Sequence, residues 1–271
     1  MTLSFGNYLF GKACVPGRKR TINQDSTEIF FPDEENPLPP LLALADGMGG
    51  YQGGETASRL VLEACAEVYR QPHYASDHEK ILVQCVEEAH RRVKQTASGD
   101  AKLSGMGSTV VAAFITAEKM HVVNVGDSRA YLLRDERLTL VSQDQSLVAD
   151  QVRAGRLTPQ QALKHPKRNV LSMAINAKRP TVTPILSAVE LQPNDIILLC
   201  SDGLWGMMPP PMLESLFWAA GNEFEPQEAA EKLAALANQR GGADNISVVI
   251  VRRRDREAAK TLADDVTNER E

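Results

Sequence analysis

The stretch STVVAAFITAEKMHVVNVGDSRAYLLR, residues 108–134, decides the fold class. It holds three short apolar or β-branched runs, at 108–116, 120–125 and 130–134, and brief turn signals separate them. Runs of this kind are typical of β-strands, and their close succession predicts an antiparallel meander.

Further strand-like runs lie on both sides of this meander, at 8–15, 26–31, 41–45, 183–189, 195–200 and 246–252. Apolar residues at helical spacing predict two helices between the first strands and the meander, and two more follow at about 211–220 and 226–239. Strands in blocks with helix pairs between them do not alternate as a doubly wound parallel fold requires. The pattern therefore predicts antiparallel sheets with helices on the outside.

The chain of 271 residues contains no internal repeat and no Ser/Gly-rich linker, which favours one domain over residues 1–252. Within it, residues 142–181 change to a polar, locally basic and helical pattern, which we interpret as a flap inserted over the sheet edge. Residues 253–271 are mostly charged residues and alanine, and they form a predicted C-terminal tail.

Composition excludes several classes of protein. A net charge of −5 argues against nucleic acid as a partner, since such binding needs a basic footprint. No run approaches the roughly 18 apolar residues of a membrane span, and the N-terminus has no secretory signal pattern. The four cysteines are scattered without zinc or redox spacing, which indicates thiols in a reducing compartment. We expect a soluble cytoplasmic protein.

Carboxylates stand where the predicted strands end. Asp46 follows LLALA, Asp127 follows VVNVG and Asp202 follows IILLCS, while Asp244 in GGADN precedes the last strand. Asp25 ends the segment RTINQD between the first two strands. Asp-Gly after a strand is also a common turn, so each position taken alone stays open.

Taken together, these aspartates indicate a metal site. Carboxylates gathered beside a core would repel one another and lose hydration, and a divalent cation relieves both penalties. Mg²⁺ and Mn²⁺ prefer oxygen ligands, including backbone carbonyls, and Gly47 would let the backbone come close enough to supply one.

The segments RTINQD, LADGMGG, GMGSTVVAA, GDSRAYLL, CSDGLW and GGADNISVVIV have the order and spacing of the protein phosphatase 2C family. DQSLV followed by HPKRNVL further resembles the flap of the bacterial members. The resemblance runs over residues 7–251. It implies an α+β fold, a four-layer α-β-β-α sandwich of two antiparallel sheets flanked by paired helices, with the flap as an insertion.

The resemblance also implies roles for the matching residues. Asp46 would bridge two Mn²⁺ or Mg²⁺ ions, Asp202 and Asp244 would complete the shell of one, and the Gly47 carbonyl would bind the other. Asp25 would act nearby through a metal-bound water, and Asp127 would hold a weaker third ion together with Asp202. Arg20 would bind the substrate phosphate, since its planar fork donates two parallel hydrogen bonds.

The function implied is hydrolysis of phosphoserine and phosphothreonine in proteins by a hydroxide that bridges the two ions. The partners implied are phosphorylated proteins, with a Ser/Thr kinase and its targets as the leading expectation, and we expect a monomer. The alternative is a catalytically inactive relative that binds a phosphoprotein or senses a metal. The intact set of aspartates argues against that alternative.

Two positions depart from the best-known eukaryotic members. Gln24 replaces a glutamate, and Met48 replaces a histidine often proposed as the general acid, so neither role transfers. Cys85 and Arg91 match the C-x₅-R spacing of cysteine-dependent phosphatases. That segment is an amphipathic helix without a glycine for a phosphate loop, so we interpret the match as chance.

The flap carries a basic cluster of Lys164, His165, Lys167 and Arg168 in an otherwise acidic protein. It could attract phosphorylated or acidic substrates, or it could be a solvated loop face.

Overall fold

The computed structural model describes residues 2–34, 37–49, 52–71, 77–221 and 224–254. Of the predicted tail at 253–271, only Arg253 and Arg254 fall within the described residues, and Arg253 is the last residue of a strand. The tail prediction otherwise lies outside the described part of the chain.

In chain order, the strands are β1 (Leu3–Phe5), β2 (Tyr8–Val15), β3 (Asp25–Phe30), β4 (Leu41–Met48), β5 (Gly107–Ser108), β6 (Val110–Ile115), β7 (Lys119–Val125), β8 (Arg129–Arg134), β9 (Arg137–Leu140), β10 (Ile175–Asn176), β11 (Ile185–Glu190), β12 (Ile196–Cys200) and β13 (Ile246–Arg253). The α-helices are α1 (Gly53–Arg70), α2 (His78–Gly99), α3 (Leu147–Arg153), α4 (Pro159–Leu163), α5 (Asp202–Trp205), α6 (Pro210–Ala220) and α7 (Pro226–Gln239).

The strands form two antiparallel sheets. One has the order β1-β2-β13-β12-β8-β9, and the other has the order β10-β5-β4-β6-β7-β11 with β3 paired to β4. The meander predicted over residues 108–134 crosses between them, because β6 and β7 belong to the second sheet and β8 to the first.

Apolar side chains between the two sheets form the central core. Phe10, Leu44, Val111, Leu199 and Val249 are fully buried there. Strands buried on both faces explain why segments such as VVAAFI are apolar throughout and do not alternate.

Helices cover the two outer faces. The apolar stripe of α1 and α2, which includes Val61 and Leu82, packs on the second sheet around Phe114. Leu213 of α6 and Leu233 of α7 pack on the first sheet. Burying each such side chain contributes about 1.5–3 kcal/mol. The four-layer α-β-β-α sandwich predicted from the sequence is confirmed.

The flap region differs from its helical prediction. Only α3 and α4 are helical within 142–181, and β10 pairs with β5 at the sheet edge. Gly155, with φ +68°, ends the turn after α3, and Pro166 follows α4, so the pattern cannot continue as one helix. The short elements β1, β9 and α5 were not predicted, since three or four residues carry too little pattern.

Cys14, Cys65, Cys85 and Cys200 are free thiols, as the scattered spacing predicted. Among the described residues, no helix combines the length and the apolar character that a membrane span requires.

Candidate active site

A cavity of about 730 Å³ opens where the ends of both sheets meet the flap. Four of the five predicted aspartates line it, together with Arg20 and Gly47. The remaining lining residues are Thr21, Ile22, Gln24, Met48, Gly49, Thr109, Asn169, Leu171, Ala174, Asn176 and Arg179.

Asp25 and Asp46 come from neighbouring strands. They are Cα partners in the antiparallel ladder of β3 and β4, so the two acids stand directly opposite each other. The backbone of Asp46 is held on both sides, because its N–H donates to Thr109 Oγ1 at 3.0 Å and its carbonyl accepts from Thr109 N at 2.9 Å. These bonds leave the Asp46 carboxylate to face the cavity.

Asp202 and Asp244 come from the other sheet. Asp202 is the first residue of α5, directly after β12, and Asp244 lies two residues before β13. Asp244 Oδ1 accepts from Asn245 N at 2.9 Å, and its Oδ2 accepts from Arg20 Nη2 at 2.6 Å. The ends of two sheets thus bring together acids that are far apart in the sequence.

Asp127 lies in the turn between β7 and β8, and its side chain is buried. Its carbonyl accepts from Trp205 Nε1 at 3.0 Å. Arg129 stacks on the Trp205 ring at 3.8 Å and forms a bidentate ion pair with Asp144. This packing joins the Asp127 turn to α5, which carries Asp202.

Burial and mutual repulsion raise the pKa of four of these carboxyl groups, those of Asp25, Asp46, Asp127 and Asp202. Burial raises the pKa of Asp25 to about 7, with a further contribution from Asp202 and Asp244. Burial followed by the charge of Asp25 raises the pKa of Asp46 well above its ordinary value. Desolvation and like charges are both relieved by a cation, so the cluster is electrostatically prepared for one.

The other two acids behave in the same way. Burial and the charge of Asp202 raise the pKa of Asp127 to about 8. Burial and the charge of Asp244 raise the pKa of Asp202 to about 6, although a hydrogen bond shared with Asp46 offsets part of the effect.

Two buried carboxylate oxygens, Asp25 Oδ2 and Asp202 Oδ1, have no hydrogen-bond partner among the described residues. An unsatisfied buried oxygen is costly, and a hard cation or its water shell would satisfy it. In the described ranges, no three or more acidic, histidine or cysteine side chains converge closely enough to hold an ion by themselves. Carboxylates supplemented by backbone carbonyls and water therefore fit the pocket, which is the mixed shell that Mg²⁺ prefers.

Gly47 meets the requirement for a close backbone approach. A Cβ at this position would lie 2.1 Å from Gly54 O and 2.5 Å from Gln24 O. Gly47 N donates to Gln24 O at 3.1 Å, which places the Gly47 peptide beside the cavity.

The two positions that depart from the eukaryotic pattern both line the cavity. Gln24 N donates to Asn245 Oδ1 at 3.0 Å. Neither Gln24 nor Met48 places an additional carboxylate or imidazole in the pocket, in agreement with the sequence.

Some residues of the site had no sequence signal. Asn245 accepts from Gln24 and donates from Nδ2 to Ile22 O at 2.9 Å, so it anchors the segment that carries Arg20 to β13. Arg179 and Asn176 reach the cavity from the far side of the flap. Asn245 could have been found from the sequence, because it directly follows Asp244 in the motif GGADN. Arg179 could not, because its place at the cavity depends on how the flap folds back.

The cysteine-dependent alternative is excluded by position. Cys85 is buried within α2, and Arg91 bonds through its guanidinium to Glu88 and Gln95 on the surface of the same helix. Lys164, Lys167 and Arg168 of the basic cluster are exposed and do not line the cavity, although Asn169 does.

Comparison with known proteins agrees with this geometry. A family model described as "Protein phosphatase 2C" matches residues 17–238. The serine/threonine phosphatase stp of Listeria monocytogenes serovar 1/2a is 32% identical over 240 residues, which cover 88% of this chain and 92% of that protein.

Solved structures are similar over nearly the whole chain. The crystal structure of the Mycobacterium tuberculosis serine/threonine phosphatase PstP/Ppp has a TM-score of 0.80 at 33% identity, covering 92% of this chain and 99% of that one. The catalytic domain of PstP in complex with two manganese ions has a TM-score of 0.78 at 32% identity, with coverage of 92% and 99%.

Proposed function

Because the chain belongs to the protein phosphatase 2C family and is a metal-dependent serine/threonine phosphatase, we propose that the aspartate-lined cavity is its active site. In this proposal, the protein removes phosphate from phosphoserine and phosphothreonine in proteins and opposes a Ser/Thr kinase.

The single observation that carries the assignment is the convergence of the acids. Asp46, Asp127, Asp202 and Asp244 line one cavity, and Asp25 is the ladder partner of Asp46. Burial and neighbouring charges raise the pKa of Asp25, Asp46, Asp127 and Asp202, and one carboxylate oxygen of Asp25 and one of Asp202 have no hydrogen-bond partner among the described residues. This arrangement is costly if it serves folding alone. Metal-dependent phosphoryl transfer accounts for it.

In this proposal, Asp46 would be a ligand of both core ions. Asp202 and Asp244, supplemented by water, would help to hold one of them, the Gly47 carbonyl would help to hold the other, and Asp25 would act through a water. Asp127 and Asp202 would hold a third ion. When bound, Mn²⁺ or Mg²⁺ supplies an activated water nucleophile and neutralises charge on the phosphoryl group.

Arg20 binds the phosphate. Its guanidinium is bonded to Asp244, which places it beside the acid cluster, and about half of the side chain is exposed. A guanidinium carries five N–H donors, so one bond to Asp244 does not exhaust them. The fork orients two phosphoryl oxygens while Asp244 fixes its position.

Met48 leaves the departing serine oxygen without an imidazole acid at this position. The proton that this oxygen requires must come from a water in the cavity. Asp127, which is buried and lines the cavity, is the residue proposed to order that water.

The proposed setting is cytoplasmic, which the four free thiols support, and the proposed state is a monomer. The proposed substrates are phosphoproteins of a Ser/Thr kinase pathway. The relatives are named for serine/threonine phosphatase activity, and this naming supports the substrate class.

The test is hydrolysis of a phosphoserine peptide by the full chain after EDTA treatment and after Mn²⁺ is restored. We expect turnover only with the metal. In the cells that produce the protein, we expect it to dephosphorylate the Ser/Thr kinase that it opposes. Binding of the phosphopeptide without turnover at any Mn²⁺ or Mg²⁺ concentration would instead support the inactive relative.

A further inference from the structure

Gln145 is buried where the chain leaves β9 and enters the flap, with 7% of its surface exposed. Its backbone N–H donates to Gly126 O at 2.8 Å, and its side-chain Oε1 accepts from Gly126 N at 3.0 Å. One residue thus pairs with both polar groups of the residue that precedes Asp127. Because of these two bonds, the peptide that leads to Asp127 has little freedom to move independently of Gln145.

The other polar groups of Gln145 hold the returning side of the flap. Nε2 donates to Thr183 O at 2.9 Å, and the carbonyl accepts from Ser172 N at 2.9 Å. The side-chain amide is therefore bonded at both ends, to the Asp127 turn and to the chain after the flap. Losing the amide would leave the Gly126 N–H and the Thr183 carbonyl without these partners, which is costly in a buried site.

The position of the Asp127 carboxylate depends on these bonds. Gly126 has φ +102°, and a Cβ there would lie 2.7 Å from Thr109 Cγ2, so this turn needs glycine. On its other side Asp127 is held by Trp205 through the indole bond to its carbonyl. Gln145 and Trp205 thus fix the backbone on both sides of a buried carboxylate.

We infer that Gln145 is a positioning residue, which sets the place of the Asp127 carboxylate for its cation by joining the Asp127 turn to both sides of the flap. The inference rests on the proposed role of Asp127. Residues that orient a metal ligand typically change metal affinity about 10–100-fold when they are replaced. It follows that the flap and the weakest cation site move as one unit.

The test compares Gln145→Met with Gln143→Met in the full chain. Methionine keeps the length of glutamine without its hydrogen bonds. The Gln143 side chain is exposed, and the bonds of this residue to Asn124 use its backbone, so this variant is a matched control. Mn²⁺ binding is measured by calorimetry on metal-free protein, together with Asp127→Asn.

We expect Gln145→Met to weaken the lowest-affinity Mn²⁺ site about tenfold, with the tighter sites and the KM for p-nitrophenyl phosphate unchanged. Gln143→Met should match wild type. If Asp127→Asn weakens that site and Gln145→Met does not, or if Gln145→Met weakens all sites equally, the inference on Gln145 is wrong. If Asp127→Asn itself leaves every site intact, the proposed role of Asp127 fails instead.

Wild-type protein gives a second measurement that needs no variant. Mn²⁺ is added at concentrations that fill the weakest site, and amide hydrogen exchange is measured. Exchange should slow in the peptide that contains Gly126 and, over the same Mn²⁺ concentrations, in the peptide that contains Ser172. Slower exchange at Gly126 alone, or at neither residue, would show that the turn and the flap are not joined.

Discussion

Asp25 and Asp46 stand directly opposite each other in the antiparallel ladder of β3 and β4. Like charges in this arrangement are destabilising, and here both side chains are also removed from water. The ladder therefore places two buried, mutually repelling carboxyl groups side by side, and the consequences for stability can be measured without any substrate.

The first prediction concerns pH and stability after EDTA treatment. The folded-state pKa values of Asp25, Asp127 and Asp202 are raised to about 7, 8 and 6, so the folded protein binds more protons than the unfolded chain above about pH 4. Stability should then fall as pH rises from 5 to 8. Each pKa unit by which folding raises a pKa corresponds to about 1.4 kcal/mol of unfolding free energy that is lost as the group ionises. A loss of this size lowers Tm by about 3 °C in a domain of this length, so we expect Tm to fall by that amount or more.

Saturating Mn²⁺ should reverse this slope, because metal ligands must lose their protons to bind. Calorimetry at pH 5, 6, 7 and 8 with and without metal makes the comparison. A Tm that stays level or rises with pH in EDTA would contradict the electrostatic description of the cluster.

The second prediction concerns Arg20. Arg20→Ala should raise KM for a phosphoserine peptide about 10–100-fold and lower kcat as well, since charged hydrogen bonds contribute about 1.5–3 kcal/mol. Arg20→Lys should recover only part of the loss because lysine lacks the fork. Arg18→Ala, at an exposed position two residues away, is the control. Loss of Mn²⁺ affinity with normal KM would assign Arg20 a structural role through Asp244.

The third prediction concerns the flap surface. Replacing Lys164, Lys167 and Arg168 by glutamine should lower kcat/KM on a phosphoprotein several-fold and leave p-nitrophenyl phosphate hydrolysis unchanged, since exposed charges act mainly on encounter. The same replacement at the exposed positions Lys80, Lys102 and Lys232 controls for net charge. Equal losses on both substrates would identify the cluster as an ordinary solvated face.

The fourth prediction concerns the proton for the leaving group. A serine alkoxide needs a proton as it departs, whereas p-nitrophenolate leaves without one. Asp127→Asn should therefore depress phosphoserine hydrolysis about 10²–10⁴-fold and p-nitrophenyl phosphate hydrolysis much less. The matched control is Asp135→Asn, which removes one negative charge from an exposed turn. Asparagine tolerates the φ of +49° at this position.

Met48→His in the Asp127→Asn background should restore part of the phosphoserine activity if an imidazole at this position reaches the leaving oxygen. Rate measurements on both substrates across pH decide this. Equal losses on the two substrates for Asp127→Asn would mean that the residue serves metal assembly or folding.

Long apolar runs were predictable from the sequence because their pattern depends only on burial. The strand at Tyr8–Val15 and the helix at Pro226–Gln239 have the bounds that the sequence predicts. The aspartates were predictable because each interrupts or adjoins such a run. Pairings such as Asp25 with Asp46, and the bond between Arg20 and Asp244, depend on sheet register and tertiary placement.

The same dependence on tertiary placement explains why the sequence did not predict the roles of Gln145 and Arg179. Each is a single polar residue in a polar stretch, and its importance appears only when the flap returns to the sheet edge. The two-residue strand β10 is set by pairing with β5 and has no periodicity of its own.

The most direct test of the metal-dependent active site is Asp46→Asn, measured for Mn²⁺ binding, turnover of a phosphoserine peptide and Tm in EDTA. Asp77→Asn is the control, since asparagine also caps the helix that Asp77 begins. We predict loss of the tight Mn²⁺ sites and loss of nearly all turnover. The Tm in EDTA should be at least as high as that of wild type, because asparagine replaces a carboxyl group that is costly to bury and is repelled by Asp25. Turnover within about tenfold of wild type, a barrier change of only ~1.4 kcal/mol, with Mn²⁺ still tightly bound, would contradict the account.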